Sequence, residues 1–289
     1  MTDIAQAATR ETSVYRGMNQ AELDTSYDNA AAVDNNLPWL DRWRELSAIV
    51  RAGNKVRLDI PYGPKERTGF DYFPSGAANA PLFVFIHGGY WQRNAKELFS
   101  FVAKGPLAHG IDVAVVGYTL APQARLTEIV AEIRQGVRFL RQNAGRFGFD
   151  PENINVGGWS AGGHLTAMVS SEPAVKGALA ISGIFDLEPI ALSYINAPLQ
   201  LDSAEIETLS PLRILQPGAA RQCIVVGGGE LAELQRQSKE YAEMARQHGL
   251  PVTLRTLAGH HHFSILDELA DPEGSLTGEL LNLVAGRPV

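Results

Sequence analysis

A serine hydroxyl becomes a useful nucleophile only beside a general base, a carboxylate that orients the base, and donors for the charge that develops on the substrate. GWSAG (158–162) fits G-x-S-x-G and lies between a strand-like run, NINVGG (153–158), and a helix expected to begin near Ala161. That setting would put Ser160 on a tight turn, with Gly158 and Gly162 giving the backbone room to fold back. HGGYW (87–91) closes another strand-like run, PLFVFI (81–86). Its two glycines allow the N–H groups of Gly88 or Gly89, with that of Ala161, to form an oxyanion hole. His87 precedes the serine in the chain and reads as a scaffold for this loop.

The base and the acid are expected to follow the serine in the order carboxylate, then histidine. GHHHFS (259–264) comes just after the last expected strand. His262 is preferred because Phe263 would anchor it, with His261 second and His260 third; consecutive side chains diverge, so one of them at most can face Ser160. Glu230 follows VVGGG at the end of the penultimate parallel strand, and Gly227–Gly229 leave space for its longer side chain. Asp186, after KGALAIS (176–182), competes for the role, though it could equally cap a short helix beginning at Leu187. Tyr90, Trp91 and Trp159 supply aromatic surface near the nucleophile, either to stack on an aryl group or simply to pack.

The elements that must position these groups can be read from periodicity. LPWLDRWRELSAIV (37–50) spaces its apolar residues by three and four, as one face of a helix does. VRLDIPYG (56–63) and FDYFPSG suggest an antiparallel start. Strands then alternate with helices: 81–86, a helix over Ala95–His109, 111–118, a helix over Leu126–Asn143, 153–158, a helix from Ala161, 176–182, 221–227, a helix over Leu231–His248, 252–257, and a last helix over roughly 264–285. Runs apolar throughout suit strands covered on both faces, which implies an α/β fold with a mostly parallel central sheet flanked by helices. Residues 1–50 read as an accessory segment that covers the sheet or embraces a neighbour in a homodimer. Residues 51–289 read as the main domain, with 186–211 a small cap-like insertion.

Composition narrows the function classes. Lys and Arg number 25 against 32 Asp and Glu, a net charge of −7, which argues against nucleic-acid partners. The one cysteine, Cys223, cannot form an internal disulfide, and no Cys/His cluster has zinc spacing. The N-terminus lacks the apolar core of a secretory signal, and no run approaches the roughly 20 apolar residues that span a bilayer. A cytoplasmic protein without membrane partners is the expectation.

Together, HGGYWQ, GWSAGGHL, VVGGGELAELQRQSKEYA and HHHFSI resemble the α/β-hydrolase superfamily, in its arylformamidase (kynurenine formamidase)-like branch. The resemblance runs from about residue 56 to 285, and HGGYWQ and the RQS-containing segment discriminate more than the serine motif does. It implies an α/β-hydrolase fold, no cofactor, and hydrolysis of N-formylkynurenine to kynurenine and formate, with many relatives acting as carboxylesterases. It places the nucleophile on Ser160, the HGG loop on His87, Gly88 and Gly89, and the base on His262. Two departures stand out: Glu230 occupies the usual aspartate position, and Trp159 precedes the serine where the family often has histidine.

Three functions from different classes follow. The leading one is a serine hydrolase of a small ester or aryl formamide, with a Ser160–His262–Glu230 triad; a general carboxylesterase would use the same intermediate. The second is a silent small-molecule binding module on the same scaffold, for which a complete set of nucleophile, hole and base is superfluous. The third is a metal-dependent hydrolase using the HHH run, which lacks the i, i+4 spacing of helical metal sites.

Overall fold

The protein is described by a computed structural model, which covers residues 13–53, 55–215 and 218–287. The first twelve residues of the accessory segment lie outside the described residues. Eight strands form one sheet: β1 (Arg57–Pro61), β2 (Gly69–Phe73), β3 (Ala80–Ile86), β4 (Asp112–Val116), β5 (Phe149–Trp159), β6 (Val175–Ile181), β7 (Arg221–Gly227) and β8 (Val252–Leu257). Their spatial order is β1-β2-β4-β3-β5-β6-β7-β8. The first two strands pair antiparallel and β2 runs antiparallel to β4, whereas every pairing from β4 to β8 is parallel.

Strand β3 shows why the central runs are apolar without alternation. Leu82, Val84 and Ile86 join one core with the helices Leu126–Gln142 and Ala161–Val169. Phe83 and Phe85 join the opposite core with Trp43 of the helix Leu37–Arg51 and with Leu276, Leu280 and Leu283 of the helix Ser275–Val284. Both faces are dry, so both sets of alternate residues must be apolar. The carboxyl ends of β3, β5, β6, β7 and β8 therefore open on one edge, where loops carry the polar groups.

Three stretches depart from the sequence expectations. The helix expected over Ala95–His109 is a 3₁₀ segment, Lys96–Ala103, followed by a short α-helix, Lys104–Ala108. The last helix is broken into Ser264–Leu266, Asp267–Ala270 and Ser275–Val284. Pro272 has no N–H to continue it, and the chain folds back so that the Gly274 N–H donates to Asp271 O at 3.0 Å. Residues 20–25, to which periodicity assigned no element, form a helix with a capping box in which Asn19 and Glu22 each satisfy the other's backbone N–H.

Candidate active site

Ser160 sits between β5 and the helix Ala161–Val169 with φ 59° and ψ −120°, a backbone state that costs a non-glycine residue about 1–3 kcal/mol. Its N–H donates to Ile181 O at 2.9 Å and its carbonyl accepts from His164 N at 3.2 Å, which holds the turn. Gly162 is obligatory here: a Cβ on it would lie 2.0 Å from Ile86 O. The strain points the hydroxyl away from the sheet and into a cavity of about 410 Å³ at the strands' carboxyl edge.

The HGG loop lies beside it. Gly89 has φ 119°, and a Cβ there would meet Arg93 O at 2.4 Å. The Gly88 carbonyl accepts hydrogen bonds from His87 Nδ1 at 2.9 Å and from Asn94 Nδ2 at 3.2 Å. Those two donors fix the plane of the Gly88–Gly89 peptide, and because the peptide is trans the Gly89 N–H points the opposite way. Among the described residues, none accepts a hydrogen bond from the N–H of Gly88, Gly89 or Ala161. His87 is fully buried, stacked on Tyr118 at 4.3 Å, and does not line the cavity.

Burial pushes the imidazoles of His87 and His164 down to about 4, each partly offset by a hydrogen bond to a backbone carbonyl. Both folded values lie below the ordinary value near 6.5, so between roughly pH 4 and 6.5 the unfolded chain binds more protons and stability rises with pH. That stability is present above the window and is lost as pH falls through it, at roughly 2 kcal/mol per histidine by pH 5. Urea titrations should therefore give a markedly lower midpoint at pH 5 than at pH 7.5. His164→Asn should flatten that dependence while lowering stability at pH 7.5.

The three consecutive histidines go to three different partners. His260 Nε2 lies 3.3 Å from Glu268, and the His261 ring meets Trp39 edge-on at 5.0 Å. His262 Nδ1 lies 2.7 Å from Glu230 Oε2, and both residues are buried. The other Glu230 oxygen accepts from Ser182 Oγ at 2.6 Å and from the Gly227 N–H at 2.7 Å. The loops carrying Glu230 and His262 are laced together, since Gly228 N donates to Leu257 O at 2.8 Å and Gly229 N to His260 O at 2.9 Å. With Nδ1 taken by the carboxylate, Nε2 is the ring nitrogen left for the cavity that Ser160 also lines. No hydrogen bond joins the hydroxyl to the imidazole among the described contacts; such bonds tighten when substrate binds. Asp186 is engaged elsewhere: it accepts from Tyr15 OH at 3.0 Å and from the Glu188 N–H at 3.2 Å.

Trp159 links these parts. Its ring lies 4.7 Å from the His262 ring, and its Nε1–H donates to the His262 carbonyl at 2.7 Å. It lines the cavity and also packs against Trp43, Phe99 and Phe263. Trp159→Phe keeps much of the ring and loses the N–H. A small displacement of a reacting group is costly, so kcat should fall about tenfold with KM little changed in steady-state kinetics.

Tyr90 lines the cavity, but its hydroxyl is tied to the accessory segment: it donates to Tyr27 O at 2.7 Å and accepts from Asn29 Nδ2 at 3.0 Å. Trp91 does not line the cavity, contrary to the sequence expectation. Successive left-handed residues, φ 51° and 59°, turn the two rings apart, and Trp91 is fully buried with its ring 5.0 Å from His164.

Several lining residues carry no sequence motif. Tyr27, Asp28, Asn29, Asn36 and Leu40 come from the accessory segment, and Tyr194 from the 186–211 stretch. The RQS segment explains how the accessory segment is held. Gln237 Nε2 donates to Tyr27 OH at 2.8 Å, and Tyr27 OH donates to Glu233, which pairs with Arg236 at 2.7 Å. The available signal was the Asn19/Glu22 capping box, which marks a helix start outside the 37–50 stretch that periodicity picks out.

Among the described residues no helix is long and apolar enough to cross a membrane, and no group of three His, Cys, Asp or Glu is placed to hold a metal ion. A nucleophile turn between strand and helix, beside a glycine loop on a mostly parallel eight-stranded sheet, defines an α/β-hydrolase. The BD-FAE family model matches residues 72–184. The kynurenine formamidase of Danio rerio is 32% identical over 293 residues, covering 94% of this chain and 99% of the relative. That of Salmo salar is 30% identical over 295 residues, covering 94% and 99%. A candidate thioesterase from Silicibacter sp. TM1040 superposes with TM-score 0.80 at 29% identity, covering 90% of this chain and 99% of that one. The chain belongs to the kynurenine formamidase family and is a hydrolase of ester or amide bonds.

Proposed function

We propose that the protein hydrolyses a small aryl formamide, as a kynurenine formamidase does, through a Ser160–His262–Glu230 triad and an acyl-enzyme. The observation that carries this reading is the 2.7 Å contact between Glu230 and His262 Nδ1 at a cavity that Ser160 also lines. Ser160 Oγ attacks the carbonyl carbon as its proton passes to His262 Nε2, and the resulting oxyanion is held by the N–H groups of Gly88, Gly89 and Ala161. Collapse breaks the carbonyl–nitrogen bond, and the leaving amine takes the proton from Nε2. Water then attacks the formyl ester, His262 again holds the proton, and collapse returns it to Ser160 Oγ with release of formic acid, which ionises. Tyr90 and Trp159 offer ring faces to the aryl group.

An aryl ester passes through the same type of intermediate, so carboxylesterase activity should accompany the formamidase activity. The test compares formate release from N-formylkynurenine with acetate release from phenyl acetate by the purified protein. The formamide should be favoured in kcat/KM. Preference for the ester would turn the assignment to a carboxylesterase. Failure on both, together with no fluorophosphonate labelling of Ser160, would favour a binding module.

A further inference from the structure

Apart from the catalytic histidine, the cavity is lined by two residues of formal charge, Asp28 and Arg93. The same cavity is lined by Trp159, Phe263 and Leu40 as well as by Ser160 and His262. Arg93 is exposed, and among the described residues its guanidinium has neither an ion pair nor a hydrogen bond. Its backbone is nevertheless fixed, because the Arg93 N–H donates to Gly89 O at 3.0 Å, which ties it to the oxyanion loop. Asp28 is half-buried; its Oδ1 accepts the Ala31 N–H at 3.0 Å, and no cation of the described residues pairs with it. The two charges do not pair with each other. Both act on Tyr194, whose hydroxyl is pushed up by its own burial first and then by Asp28, against a lowering by Arg93. Opposite charges that act on one tyrosine in the wall of one cavity, and stay unpaired, give an otherwise uncharged cavity a dipolar wall.

We propose that Asp28 and Arg93 form a subsite for a zwitterionic α-amino-acid group carried on the leaving side of the substrate, Arg93 taking the carboxylate and Asp28 the ammonium. Guanidinium and carboxylate match as a planar two-point pair, and hydrogen bonds between charged groups are stronger than those between neutral ones. A neutral alkyl or aryl ester would leave both charges in water and gain nothing from them. The subsite rests on the hydrolase reading for its substrate, and it assigns the residues that would separate an amino-acid-bearing aryl formamide from a plain ester.

Binding to the Ser160→Ala protein tests the subsite without any turnover. Three probes share one aryl ketone: kynurenine, kynuramine without the carboxylate, and 3-(2-aminobenzoyl)propanoate without the α-ammonium. Adding Arg93→Met should weaken kynurenine and the propanoate about tenfold or more, and kynuramine far less, with Arg93→Lys restoring part of the loss. Adding Asp28→Asn should weaken kynurenine and kynuramine several-fold more than the propanoate. Equal affinity for all three probes before these substitutions, or losses that ignore which charge the probe carries, would overturn the proposal. Should the charge-matched pattern appear while the wild-type protein fails to cleave N-formylkynurenine, the subsite stands and the reaction assignment falls.

Discussion

Ser160→Ala should lower kcat on phenyl acetate and on N-formylkynurenine by a factor on the order of 10⁴–10⁶. The size follows from what the substitution removes. The oxyanion donors, the cavity and the Glu230–His262 pair all remain, yet no covalent intermediate can form, so only the residual rate from binding and electrostatics is left. Folding should not suffer. The Ser160 hydroxyl makes no hydrogen bond among the described contacts, and the turn is held by the residue's backbone N–H on Ile181 O at 2.9 Å. Alanine tolerates φ 59° about as poorly as serine, so the strain is nearly the same in both proteins. Thermal melting should therefore coincide within a few degrees while steady-state rates collapse. Retention of more than a hundredth of the wild-type rate would remove Ser160 from the mechanism.

How much of this was legible depended on the kind of constraint. Strand β7 occupies the residues that its apolar run marks, because a strand covered on both faces has no other composition available, whereas β8, at the sheet edge with Arg255 and Thr256 exposed, is marked by its β-branched residues and alternation instead. The strand–turn–helix around Ser160 was legible because a nucleophile turn needs small residues at fixed offsets, and Gly158 and Gly162 supply them. The histidine run was ambiguous for a geometric reason: which of three consecutive rings meets Glu230 depends on loop dihedrals that no spacing rule gives. Glu230 and Asp186 both end parallel strands, and their separation comes from a hydroxyl, Ser182, whose donation to Glu230 has no sequence signature. The dipolar wall was the least visible. Asp28 and Arg93 lie 65 residues apart and line one cavity because contacts of Tyr27 with Glu233 and Gln237, and of Tyr27 and Asn29 with Tyr90, pin the accessory segment there.

That segment also changes how the cavity is understood. Sequence texture made residues 1–50 a cover, yet Tyr27, Asn29, Asn36 and Leu40 stand in the cavity wall. The chain Asn29 Nδ2 to Tyr90 OH to Tyr27 O ties that wall to the residue following Gly88 and Gly89. Under the proposed mechanism, contacts made by the segment would act within one residue of the proposed oxyanion donors. Such a wall would let remote contacts be used in the transition state rather than only in binding.

Glu230→Gln should lower kcat by a factor on the order of 10³–10⁴, as loss of the orienting carboxylate does in serine hydrolases generally, with little change in fold. The hydrogen-bond inventory gives the reason. One carboxylate oxygen receives two donors, Ser182 Oγ at 2.6 Å and the Gly227 N–H at 2.7 Å. The backbone N–H can only donate, so in the variant the amide oxygen must take that place, and the amide NH₂ is left facing His262 Nδ1. Two donors cannot meet there, so the ring is driven to the tautomer with its proton on Nε2. That nitrogen then cannot accept the serine proton. The variant should also regain activity as pH rises, where hydroxide supplants the missing base. Asp186→Asn makes the counter-test, because Asp186 contacts Tyr15, the Glu188 N–H and Arg213 rather than His262. It should change kcat by no more than a few-fold. If Asp186→Asn proves the crippling substitution and Glu230→Gln the mild one, the carboxylate at the end of β7 is a structural ligand of its loop and the base is oriented from β6.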